Sequence, residues 1–119
     1  MNLYLDTEFN GHGGELISLA LAADDNNGHW YGILPVVADI HPWVAEHVMP
    51  VITRVPDVYT HRADAKSFVP SLHRYLRDRP NAHIYADWPD DFAHLMQALR
   101  GATYDQALDY QCTVHLIKT

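Results

Sequence analysis

A chain of 119 residues, 48% apolar and 19% charged, is one domain with enough length for a hydrophobic core, and its composition excludes a disordered segment. The formal charge of −7 excludes a duplex-DNA reader that binds through a basic face, since that mode neutralises phosphates with Lys and Arg. No apolar run reaches the roughly 18–20 residues of a membrane span. Met1 to Asp6 lacks the basic-then-apolar pattern of a secretory leader, and the single Cys112 allows neither an internal disulfide nor a thiolate zinc cage, so a cytoplasmic location is expected.

Residues 2–9 alternate and read as a strand, and Asn10-Gly11-His12-Gly13-Gly14 breaks it. Residues 15–23 form a second, largely buried strand. Asp24 to Gly28 supplies hairpin chemistry, and His29 to Leu34 returns as a third strand, completing an antiparallel meander. The period then changes. Pro42 to Ile52 carries Trp43, Val44, Val48 and Val51 at helical spacing, with Pro42 suited to a first turn. A second helix is expected from Ser67, as its N-cap, to Asp78, burying Phe68, Leu72, Tyr75 and Leu76 and placing Pro70 among the first residues. Residues 83–87 read as a short strand, Pro89 to Leu99 as a third helix stopped at Gly101, and residues 107–114 as a last strand. The order implies an α/β layer structure in which later strands join the meander in parallel through helical crossovers.

Two places in this pattern carry carboxylates with chemical potential. Asp6 and Glu8, two apart on a strand, share a face, where two anions gain nothing from packing and suit a hard cation such as Mg²⁺ or Mn²⁺. The alternative is a solvated acidic edge. Asp87, Asp90 and Asp91 mark the junction of a strand and a helix, where a first-turn carboxylate is favourable for the helix alone. The carboxyl end of a parallel strand is also where α/β sheets place ligands, and there Asp91 can approach Asp6. The nine histidines show no metal-ligand spacing; most of His41, His47, His61, His73 and His83 are expected at surfaces or caps, and His94 beside the cleft without a catalytic role. Trp43, Trp88 and Tyr75 are expected in the core. Arg74, Arg77 and Arg79 are expected as a solvated helix end, with substrate contact as the second reading.

Asp6-Thr7-Glu8-Phe9 followed by Glu15 to Leu21 resembles the opening of a bacterial 3'–5' exoribonuclease family of the DEDD superfamily. His41-Pro42-Trp43-Val44-Ala45-Glu46-His47-Val48-Met49-Pro50 is similar to that family's first helix, and Ala86 to Phe92 stands where its second motif belongs. The resemblance covers nearly the whole chain. It implies a ribonuclease H-like α/β fold, a three-stranded antiparallel meander extended by parallel strands with helices packed on the sheet. It also implies an enzyme that removes nucleotides from single-stranded RNA, or DNA, by two-metal phosphodiester hydrolysis. Asp6, Glu8 and Asp91 would be catalytic and would bind two Mg²⁺ or Mn²⁺ ions, while Phe9 and Asp87 would lie against substrate.

The fourth carboxylate of the superfamily, with a histidine five residues or a tyrosine four residues before it, has no counterpart among residues 1–119. His115 is followed by no acidic residue, and Tyr104 and Tyr110 have Leu108 and Val114 four residues on. The expectation is therefore a single, C-terminally incomplete domain with weak metal binding and slow or absent turnover. Uncovered apolar surface would favour a homodimer. The alternative function is a non-catalytic ribonuclease H-like module that binds nucleic acid or a protein partner.

Overall fold

The computed structural model describes residues 1–11, 13–24, 28–34, 39–52, 61–62, 65–100 and 110–117. The meander forms as its alternation implies: β1 (Asn2–Phe9), β2 (Leu16–Ala23) and β3 (Trp30–Ile33) pair antiparallel in sequence. Strand β5 (Ala82–Ala86) then joins the free side of β1 in parallel, and β6 (Cys112–Leu116) joins β5 in parallel. A two-residue strand, β4 (His61–Arg62), pairs with β3 at the other edge. The result is a mixed sheet ordered 4-3-2-1-5-6.

Helices cover the sheet unequally. On one face lie α3 (Ala65–Arg77) and α4 (Pro89–Arg100), packed on Leu3, Leu5, Leu19, Leu21 and Ile84. The expected stripe of α3 is buried, with Phe68, Leu72, Tyr75 and Leu76 all in the core. Gly32 makes that packing fit, because a Cβ there would stand 2.4 Å from Trp30 and 2.5 Å from Phe68 ring atoms. On the opposite face the short helices α1 (Pro42–His47) and α2 (Met49–Ile52) cover β2 and β3 through Ile17, Ile33, Val44, Val48 and Ile52. The remainder of that face, over β1, β5 and β6, carries Tyr4 stacked on Tyr85 and Tyr85 stacked on His115.

Several expectations need correction. The helix expected over 42–52 is two, divided at Val48, because Pro50 has no N–H to offer the carbonyl of Glu46. Ser67 is not the N-cap of α3: the helix begins at Ala65, so Pro70 lies inside it and leaves the Lys66 carbonyl without its helical donor. Trp43 and Trp88 are not core residues; they expose 59% and 57% of their surface, whereas Tyr75 is buried. The last strand starts at Cys112 and runs to Leu116; residues 107–109 and Gly101 lie outside the described residues. Val114 and Leu116 on this edge strand are exposed. Among the described residues no helix is long and apolar enough to cross a membrane.

Candidate functional site

Strand alternation settles where the β1 side chains go. Leu3, Leu5 and Thr7 turn into the α3/α4 face, so Tyr4, Asp6 and Glu8 occupy the other. Their partners on β2 are small: Asp6 stands opposite Ala20 and Glu8 opposite Ser18. A groove of about 250 Å³ opens over these small residues, with Asp6 and Glu8 on one side and His47, Val48, Val51 and Ile52 of the α1–α2 segment on the other. Asn10 fixes that segment against the end of β1. Its amide donates to the Asp39 carbonyl at 2.8 Å, and its Oδ1 accepts from the His41 N–H at 2.7 Å. His41 in turn caps α1, its Nδ1 accepting from the Trp43 N–H at 3.2 Å.

Asp91 arrives from the opposite side of the sheet. It sits in the first turn of α4, directly after β5, and β5 runs parallel to β1 as its neighbour. Only 4% of Asp91 is exposed, and its Oδ1 accepts a hydrogen bond from the Thr7 hydroxyl at 2.5 Å. The strand thus presents Asp6 and Glu8 to the groove while the intervening Thr7 holds Asp91 from behind. A register shift between Glu8 and Phe9 ends the regular alternation here. Phe9 stacks on His94 of α4, with ring centroids 4.7 Å apart.

The carboxylates disturb one another. Glu8 is held above the ordinary carboxylate range by burial first, then by the charges of Asp6 and Asp91. Asp6 is raised by burial and by Asp87, and a hydrogen bond from the Thr7 backbone opposes this. Burial also raises Asp91; the Thr7 hydroxyl pulls it back down, and Asp6 and Asp87 push it up again. All three therefore hold a proton more readily than a free carboxylate, and Thr7 donors offset this only at Asp6 and Asp91. His94 shifts the other way, lowered by burial despite the nearby Asp90 and Asp91.

An all-oxygen anionic set of this kind has the donor chemistry of a Mg²⁺ or Mn²⁺ site. The side chains stand within range of mutual repulsion, but among the described residues no three of His, Cys, Asp or Glu converge closely enough to hold an ion as placed. Asp6 and Glu8 face the groove together, as the spacing implied; Asp91 is near them in charge but is bonded to Thr7 on the other side. Asp87 bears on both Asp6 and Asp91. Sequence reasoning missed Thr7, whose role needs the third dimension, and also His47. For His47 a signal existed: Trp43 and His47 are four apart on one helix, and their rings lie 4.8 Å apart beside the groove. In comparisons with known proteins, no family model and no curated protein matched this chain.

Proposed function

We propose that this chain is a ribonuclease H-like nuclease domain of the kind that removes nucleotides from the 3' end of single-stranded RNA with the help of Mg²⁺ or Mn²⁺, impaired to weak metal binding and slow or absent turnover because no fourth carboxylate motif stands among residues 1–119. The observation that carries the reading is the set of three mutually repelling carboxylates, Asp6, Glu8 and Asp91, at the junction of β1 with the parallel strand β5. A stable fold does not need this arrangement, and a divalent cation relieves it. The sheet order supports the same reading, with an antiparallel meander extended on the β1 side by parallel strands.

Asp6 and Glu8 would hold the cation from the groove side, and Asp91 would join them on leaving Thr7 or act on the ion through water. When bound, divalent cations supply positive charge to a phosphodiester and make water a better nucleophile. The chain's own residues do the rest. The groove beside Asp6 and Glu8 receives the terminal nucleotide, and the exposed Trp43, backed by His47, offers a ring on which a base stacks. Phe9, stacked on His94 at the end of β1, and Asp87, whose charge bears on Asp6, do not line this groove and would meet substrate only where it passes beyond it.

A second reading, a non-catalytic module of the same fold that binds nucleic acid, is favoured by one observation: the three carboxylates do not meet at ligand distance. Calorimetry with Mn²⁺ on the chain and on Asp6→Ala, with cleavage of a 5'-labelled single-stranded RNA, separates the two. Binding that is lost in the variant, with shortening from the 3' end, supports the nuclease. RNA binding without metal binding or cleavage supports the module.

A further inference from the structure

Away from the carboxylates, the outer side of α3 borders an open cavity of about 680 Å³, within the usual range for small-molecule sites. One stripe of the helix lines it, with Ser67, Ser71, Arg74 and Asp78 at successive turns, and Arg79 just beyond. Trp30 and Tyr75 form its apolar floor. The chain has only eight basic residues, and two of them line this one cavity.

The two guanidinium groups are held differently. Arg79 lies over the Tyr75 ring, 3.7 Å from its centroid, and donates from Nη1 to the Tyr75 carbonyl at 3.1 Å, which fixes the fork in place. Arg74 is exposed and makes no ion pair among the described residues. Ser71 Oγ accepts the Trp30 indole N–H at 3.0 Å, so its own O–H remains to be donated. The cavity therefore offers two guanidinium groups and a hydroxyl donor against one carboxylate, Asp78, in a chain whose net charge repels anions elsewhere.

We propose that this cavity binds a phosphate ester of nucleotide size, with the phosphate between Arg74, Arg79 and the Ser71 hydroxyl. Arginine suits phosphate because its planar fork can engage two oxygens at once. The site is independent of Asp6 and Glu8 and goes beyond the nuclease reading.

The test is calorimetry in EDTA, with AMP as the free phosphomonoester and an unphosphorylated RNA pentamer as the source of chain phosphates. Arg74→Gln and Arg77→Gln each remove one positive charge from α3, but only Arg74 lines the cavity. Saturable binding of either ligand that Arg74→Gln weakens about tenfold and Arg77→Gln leaves nearly unchanged supports the site. AMP binding then identifies a free phosphomonoester as the ligand, and pentamer binding identifies a nucleic-acid backbone. No saturable binding of either ligand, or equal loss in both variants, overturns the proposal. Repeating the titration with Asp6→Asn, which leaves the cavity intact, keeps this outcome separate from that of the carboxylate site.

Discussion

The two helices on the covered face each bury a polar side chain, and the sheet treats them in opposite ways. His73 of α3 is buried with both ring nitrogens occupied: Nε2 lies 2.9 Å from the Leu99 carbonyl and Nδ1 lies 2.7 Å from the Tyr110 hydroxyl. A carbonyl can only accept, so Nε2 carries the hydrogen, and Nδ1 accepts from the tyrosine. Asp91 of α4 is as deeply buried, yet it meets Thr7 on one side and the charges of Asp6 and Asp87 around it. The first arrangement satisfies every group and fixes α3 against the end of α4. The second leaves like charges facing one another, which costs stability and suggests use rather than architecture.

Substitutions sharpen this contrast. The largest effect is expected at Asp6, where Asn removes a carboxylate from the proposed cation site; Mn²⁺ affinity and any RNA shortening should fall by about 100-fold while the metal-free fold is kept or strengthened. Unchanged Mn²⁺ affinity in that variant would falsify the cation site. At the other centre, His73→Leu takes the ring N–H away from the buried Leu99 carbonyl and the ring acceptor away from the Tyr110 hydroxyl, and should lower unfolding stability by about 2–4 kcal/mol in a denaturant melt. Trp43→Ala should do the reverse of His73→Leu. Its exposed ring contributes little to folding, so RNA affinity should drop by about 1–3 kcal/mol with little change in the melt. Thr7→Val keeps the shape of the side chain but withdraws the hydroxyl from Asp91, and a stability loss of about 1–2 kcal/mol is expected.

Much of the scaffold was readable along the chain because its signals are local. Asn2–Phe9 alternates so strictly that the strand and the shared face of Asp6 and Glu8 follow from spacing alone. Phe68, Leu72, Tyr75 and Leu76 likewise declare the buried side of α3. Where the reading failed, the deciding partner was distant or the local signal ambiguous. Ser67 looked like a cap because Pro70 seemed to require an early position, but tertiary packing carries the helix through the proline. Trp43 shares helical spacing with Val44 and Val48 and so looks like core, but the cluster on that face is built from Val44, Val48 and Ile52 and leaves Trp43 exposed. The two-residue strand β4 is too short to have a period. Thr7 is 84 residues from Asp91, and no pattern along the chain joins them. Nor does spacing show that Asp91 faces the helix side while Asp6 and Glu8 face the groove.

The smallest effect comes from titration and separates the carboxylates from His94. Because Asp6, Glu8 and Asp91 are raised in the folded chain, folding favours their protonated forms. The stability they contribute is complete below the ordinary carboxylate values and is lost as pH rises through the raised ones, so the metal-free protein should gain stability as pH falls from neutral into that range. His94 works against this. Held below its ordinary value of 6.5, it contributes stability above that pH and loses it as pH falls through the lowered value. Solvent screens the partly exposed Asp6, Glu8 and His94, so their contributions are expected to be small beside the effects above. Melts from about pH 7.5 to about pH 5 should show the carboxylate gain more clearly in His94→Gln and reduced in Asp6→Asn. Added Mn²⁺ should reverse the slope, because the ion binds the carboxylates in their charged form and protons then compete with it. A slope that Mn²⁺ leaves unchanged would place the repelling carboxylates with the architecture, and the contrast between His73 and Asp91 would lose its functional meaning.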